Sequence, residues 1–415
     1  MARKKRDEIQ ERDIGGLKYF DKLAPLLERL HDDGCLRDKA GNRTLHYDQY
    51  CLLVLLYLFN PICSSLRAVQ QASELPKVQK RLGCERAALG SLSEAGTVFD
   101  PERLIEIIQE LGGQLQPIAK DARLKDVTLG RTLTLVDATL LKVLPRVMAA
   151  SVLKAQTGSG MVKWRLHSQF EVDRYVPSRI DVTRDGGGEN DERSAFERTI
   201  QADRLYVLDR GYAKFSLFNA RHAAQSSYVC RVRDNSVYEV LEQKPLTDAD
   251  RAANVLSDQL VSLGQSSKKS DRPNHSIRLV IIQIKPHLSA GKYGGGSSGV
   301  DSDGHLRIAT NLLDVPAEII ALLYHYRYRW TIEIFFRTFK QLLGCRHLIS
   351  HSQNGIQIQT YCAIIACLLI SLWTGRKPTK RTYEMLCFYL MGWADEDTLT
   401  AHIAKLQQHD ATKNR

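Results

Sequence analysis

The sequence predicts an α/β protein: a mixed five-stranded sheet flanked by helices, interrupted by a β-rich insert and preceded by an all-helical N-terminal region. Three observations lead to that class. The first 125 residues carry apolar side chains at helical spacing and contain no strand-like run. After residue 128 the pattern changes to short β-branched and aliphatic runs, three in close succession and then others alternating with helical stretches. Residues 325–344, HYRYRWTIEIFFRTFKQLLG, then set Ile332, Phe335, Phe336, Phe339, Leu342 and Leu343 at three- and four-residue steps, the spacing of a helix with one side in a core.

In chain order, helices are expected over 17–30, 49–59, 64–73 and 101–111. Asn60-Pro61 is a stop signal, and Asp100-Pro101 supplies a capping residue followed by the proline of a first turn. Lys77, Lys80, Arg81 and Arg86 are scattered through this region, compatible with DNA binding but not marking a recognition helix. TLTLVDATLLKVL (132–144) reads as a buried strand, and 161–172 with 176–183 as a hairpin. A helix follows over 190–202, a strand in LYVLDRGY (205–212), a helix over 212–223 and a strand in SSYVCRVR (226–233). The order β-β-β-α-β-α-β is that of a ribonuclease-H-like fold.

Residues 236–305 break the order as an insert of mostly β character, with one strong strand at 277–285 and a Gly/Ser-rich end. The predicted organisation is therefore a helical N-terminal domain (1–125), the first part of a catalytic domain (126–235), the insert (236–305), the second part (306–375) and a helical tail (376–415).

Lys and Arg exceed Asp and Glu by 11 in the 415 residues, which favours a polyanionic partner. The nine cysteines form no C-x-x-C pair and several lie in apolar runs, so reduced core thiols are expected rather than disulfides or a zinc site. MARKKRDEIQERD is charged throughout and does not resemble a secretory signal. The longest apolar runs, 50–59 and 361–373, fall short of the ~18–20 residues of a membrane span. A soluble cytoplasmic protein with no membrane partner is expected.

Three carboxylates stand out by position: Asp137 inside the aliphatic strand LVDAT, Asp209 closing the strand in VLDRGY, and Glu333 on the late helix. A charge in an aliphatic strand is costly unless it meets a cation. Two aspartates at adjacent strand ends and a glutamate on a crossing helix would suit two Mg²⁺ ions for phosphodiester displacement. Structurally bland alternatives exist for each. Asp137 can cap a turn, Asp209 can pair with Arg210, and Glu333 can form i,i+4 pairs with Arg329 and Arg337 on a solvated face.

Tyr326, Arg329, Glu333 and Lys340 have the Y-(2)-R-(3)-E-(6)-K spacing. With VDAT, DRGY and TNLLD, this resembles the insertion-sequence-four family of DDE transposases over about residues 130–375. The resemblance implies a catalytic and metal-binding triad of Asp137, Asp209 and Glu333, served by two Mg²⁺ ions that Mn²⁺ would replace. It also implies contacts of Tyr326, Arg329 and Lys340 with transposon-end DNA. The implied partners are double-stranded DNA, as transposon ends and target, and a second copy of the chain on that DNA, in a bacterial cytoplasm. Arg337, Arg210 and Lys163 are further candidate DNA contacts, Lys163 as one of an alternating series with Arg165 and His167. Two other readings compete: a catalytically silent DNA-binding relative, and a tyrosine recombinase suggested by the H-x-x-R of His275 and Arg278.

Overall fold

The computed structural model describes residues 24–33, 42–60, 62–115, 130–143, 162–184, 186–264, 272–283, 304–324, 332, 339, 348–350 and 352–413. The N-terminal part is helical, in α1 (Ala24–Glu28), α2 (Tyr47–Phe59), α3 (Leu66–Ser73), α4 (Pro76–Leu82), α5 (Leu89–Val98) and α6 (Arg103–Gln114). α2 is apolar on every side and buried along almost its whole length, as befits a helix surrounded by others. α3 starts where the Ser65 side chain accepts a hydrogen bond from the Ala68 amide (3.2 Å). α6 begins two residues later than predicted, because Asp100 Oδ1 accepts from the Glu102 amide (3.0 Å) and holds 101–102 as a turn. α5, LGSLSEAGTV, was not anticipated from its weak helix formers. It exists by packing: a Cβ at Gly96 would lie 2.7 Å from Ser350 Oγ and 3.1 Å from Gly355 Cα.

The sheet begins with β1 (Thr132–Val143), β2 (Val162–Glu171) and β3 (Val176–Arg184), an antiparallel meander in which β2 turns to β3 through Tyr175 at φ 57°. α7 (Glu192–Glu197), β4 (Arg204–Leu208), α8 (Phe215–Ala223) and β5 (Ser227–Arg231) follow. β4 runs parallel to β1, and β5 parallel to β4. α7 is shorter than the predicted 190–202; just beyond it, the Thr199 hydroxyl bonds the Ala195 and Phe196 carbonyls (3.2 and 3.0 Å).

β6 (Tyr238–Gln243), α9 (Asp248–Ala252), β7 (Val255–Leu263), β8 (Ile277–Gln283), β9 (His305–Thr310) and α10 (Ala317–Tyr324) come next. The expected five-stranded sheet is in fact nine-stranded, in the order β3-β2-β1-β4-β5-β9-β8-β7-β6. β9 lies between β5 and β8, so the inserted strands extend the same sheet. The chain continues as α11 (Gln353–Thr374), α12 (Lys380–Leu390) and α13 (Glu396–Lys413).

Alternation along the strands separates two cores. Leu133, Leu135, Leu205, Val207 and Val229 face α2, α6, α10 and α11. Val136, Tyr206, Leu208, Tyr228 and Cys230 face α7 and α8. There Arg221 is fully buried, its guanidinium over the rings of Tyr228, Phe218 and Phe196 at 4.8, 5.2 and 5.7 Å. α11 is 22 residues long and apolar enough to cross a membrane by length and composition, yet 89% of its apolar stretch is buried inside the protein. It is the helix on which the N-terminal bundle and β3 both pack. Cys51, Cys63, Cys84, Cys230, Cys362, Cys367 and Cys387 are buried free thiols.

The insert is bound to the loop before α10 by Arg278, whose buried guanidinium pairs with Asp258 inside the insert and donates to carbonyls of that loop. Arg278 Nη2 lies 2.6 Å from Asp258 Oδ2, and Nη1 donates to the carbonyls of Leu312 (3.1 Å) and Val315. Asp250 in α9 accepts from the Glu318 amide in the first turn of α10 (2.8 Å). His275 stacks on His222 (4.2 Å) and bonds the Tyr228 hydroxyl (3.0 Å). The H-x-x-R pair is thereby committed to internal structure, which removes the observation that suggested a tyrosine recombinase. Removing the carboxylate with Asp258→Ala should cost about 3–5 kcal/mol, because it strands a buried guanidinium. The double change Asp258→Ala/Arg278→Leu should cost less; denaturant unfolding of the two proteins measures the difference.

Candidate active site

β1 and β4 fix the centre of the site. Their parallel register pairs Thr132 with Arg204, Leu133 with Leu205, Thr134 with Tyr206 and Leu135 with Val207. Asp137 and Asp209 each stand two residues beyond the last pair, at the same edge of neighbouring strands. By parity Asp137 belongs to the face of Leu133 and Leu135. Asp209 ends β4 and opens a tight turn over Arg210–Tyr212. Both side chains are half-buried, open enough for water and close enough to the core to be held.

Each carboxylate is oriented. Asp137 Oδ1 accepts from the Ala138 amide (2.8 Å), and Asp209 Oδ1 accepts from the Tyr324 hydroxyl (3.3 Å). Tyr324 is the last residue of α10, the helix that leads into the 325–344 stretch. Across the antiparallel ladder from Asp137 lies Ser168, whose buried hydroxyl has no hydrogen-bond partner among the described residues. Behind the two aspartates Tyr212 is buried. Its phenol is pushed far above its usual range by burial first, then by the negative charges of Glu192, Asp137 and Asp209, with Arg165 pulling the other way. Three carboxylates are thus within electrostatic reach of one hydroxyl. A Cβ at Gly211 would lie 3.1 Å from Glu192 Oε1, which puts Glu192 against the turn that follows Asp209.

Of the residues singled out in the sequence, Glu333, Tyr326, Arg329, Arg337 and Lys340 lie outside the described residues. Ile332 and Phe339, seven positions apart in the chain, are described and fully buried in the core that holds Leu135, Val207 and Tyr324. Arg210 is 3.9 Å from Asp234 with its side chain 41% exposed, a loose pair. Lys163 lies in β2 opposite Lys142, its side chain outside the described part. Its alternating neighbours do not line an open groove. Arg165 pairs with Glu192 (3.4 Å), and His167 is buried against Thr183 (2.8 Å). Sequence reading passed over Tyr324 and the pairing of Glu192 with Arg165. Tyr324 precedes the recognised spacing by two residues, and the only sign for Glu192 was its place in an acidic helix start.

The family model of the transposase DDE domain matches residues 128–369, from just before β1 into α11. The chain belongs to that family. The matched span includes Asp137, Asp209 and residue 333 of this DDE domain. A Geobacillus stearothermophilus protein named "Probable transposase for insertion sequence element IS5377" is 27% identical over 226 residues, 54% of this chain and 52% of its own length. The Escherichia coli "Transposase for insertion sequence element IS421" is 22% identical over 273 residues, 61% of this chain and 69% of its own. The chain thus spans about half the length of the Geobacillus relative. The piggyBac transposase in its synaptic complex with hairpin DNA aligns with 94% of this chain and 84% of its own. Its TM-score is 0.36 and its identity 10%, a likeness too loose to carry an argument.

Burial lowers the His167 pKa to about 4, from the usual 6.5. In this DDE domain the imidazole is therefore neutral when folded, while the unfolded chain takes up a proton below pH 6.5. The stability it contributes is complete above pH 6.5 and falls as pH drops towards 4, by about 3 kcal/mol at most. Unfolding measured across that window should show a shallower loss in His167→Gln than in the wild-type protein.

Proposed function

We propose that this chain is a DNA transposase that binds the terminal inverted repeats of its own insertion sequence, hydrolyses a strand at each end and joins the freed 3′-hydroxyl to target DNA. The observation that carries the reading is the pair Asp137 and Asp209 at matched ends of adjacent parallel strands, with Tyr324 linking Asp209 to α10, the helix that precedes Glu333 in the chain. We read the part β3-β2-β1-β4-β5 as the ribonuclease-H-like unit, β6–β8 as its insert and the N-terminal helices as a candidate DNA-binding domain.

Asp137, Asp209 and Glu333 would together hold divalent ions. The fit to Mg²⁺ is good at the two described positions. Both are hard oxygen donors, both are half-buried so that water can complete an octahedron, and the Ser168 hydroxyl beside Asp137, without a hydrogen-bond partner among the described residues, leaves room for a polar neighbour. A pair of such ions activates the attacking oxygen and stabilises the leaving one; Mn²⁺ should substitute. The rest falls to the chain. Ala138 and Tyr324 fix the carboxylate orientations, and the cores on both faces hold the strand ends at one register. Arg329 and Arg337 are suited to clamp phosphate with paired donors, Lys340, Lys163 and Arg210 to add positive charge, and Tyr326 to donate a hydrogen bond. Water attacks first and the 3′-hydroxyl second, so no covalent enzyme intermediate is required. Because two ends must be joined, a homodimer assembled on DNA is the expected working form.

Linear DNA bearing the repeats that flank the reading frame is the substrate for the test. Asp137→Ala, Asp209→Ala and Glu333→Ala should each abolish Mg²⁺-dependent cleavage while leaving end binding intact; wild-type cutting by any of the three refutes the assignment. A DNA-binding relative without catalysis would bind the end and never cut it. Tyr324→Phe should slow cleavage about fivefold, the equivalent of about 1 kcal/mol, and raise the Mg²⁺ concentration needed for half-maximal rate. End binding should weaken steeply between low and moderate salt, as displaced counterions require.

A further inference from the structure

A second group of metal-type ligands lies far along the chain from the carboxylates, where the segment after α1 meets the start of α2. His31, Asp32 and His46 can each present one ligand atom, and these atoms lie within 4.8 Å of one another. The two imidazoles stack with centroids 3.8 Å apart and planes 8° from parallel.

The tautomer of each neutral ring follows from its neighbours. His31 Nδ1 is 3.1 Å from both oxygens of Asp48, and His46 Nδ1 is 3.0 Å from the His31 carbonyl oxygen. Carboxylate and carbonyl oxygens only accept, so each ring carries its proton on Nδ1 and its lone pair on Nε2. That is the arrangement of metal-binding histidines, whose second nitrogen donates to a carboxylate or a carbonyl. Asp32 is exposed and adds an oxygen donor. Two imidazoles and one carboxylate suit Zn²⁺ and its neighbours among the transition metals, and not Mg²⁺.

We propose that His31, Asp32 and His46 form a zinc-class site that clips the segment after α1 onto the start of α2, with Asp48 as the positioning residue for His31. Binding draws both lone pairs onto one ion, so the stacked rings splay as it enters. The site shares no residue with the Asp137–Asp209 edge and stands or falls independently of the proposed DNA chemistry.

The test uses the full-length protein, stripped with a chelator, kept in millimolar Mg²⁺ and titrated with Zn²⁺ alone by calorimetry and thermal unfolding. The wild-type protein should bind one Zn²⁺ and unfold at a higher temperature. Asp32→Asn, an exposed change that leaves the fold in place, should weaken binding about tenfold or more, and His46→Ala should abolish it. Asp48→Asn should weaken binding by about 10- to 100-fold, although that side chain is not among the ligands. No zinc-dependent rise in the wild-type protein, or the same binding in Asp32→Asn and Asp48→Asn as in wild type, overturns the proposal.

Discussion

The parallel pairing of β1 with β4 is the constraint on which the rest depends. It joins two strands separated in the chain by a hairpin and a helix, and it leaves Asp137 and Asp209 at the same height on one sheet edge. A slip of one residue in either strand would move its apolar side chains to the opposite core. Leu133, Leu135, Leu205 and Val207 on one side, and Val136, Tyr206 and Leu208 on the other, make that slip costly on both faces at once. The carboxylates inherit their registry from aliphatic packing.

Such an edge concentrates negative charge, and the neighbouring structure is arranged around it. The Ala138 amide and the Tyr324 hydroxyl donate to the two aspartates, and Glu192 near the same turn is paired with Arg165. Repulsion among carboxylates at short range favours either a proton or a cation. The insert is coupled to this arrangement mechanically. Arg278 and Asp250 reach from inserted elements to the start of α10, whose last residue touches Asp209.

Much of this was legible in the sequence where burial is uniform. β1, the β2–β3 hairpin, β4, β5 and β8 announce themselves by β-branched and aliphatic runs, and Asp137 and Asp209 by interrupting two of them. α5 was hidden because its stability comes from a glycine contact with the start of α11 rather than from its own residues. β6, YEVLEQ, was hidden because an edge strand exposed on both faces carries no apolar alternation. The merging of the insert into one sheet depends on β9 pairing on both sides, which no local pattern encodes. Arg165 and His167 read as an open polar face because α7, which covers that part of β2, is separated from it by a hairpin. The trio His31, Asp32 and His46, proposed above as a metal site, has no diagnostic spacing, since its two histidines stand 15 positions apart.

The most direct measurement replaces Mg²⁺ by Fe²⁺ and maps where hydroxyl radicals generated at the bound ion cut the polypeptide. Cuts that excess Mg²⁺ suppresses should cluster beside residues 137, 209 and 333, which are distant in sequence and which the proposed ion site would bring together. Mg²⁺-suppressible cuts that spare any one of those three positions would contradict the account.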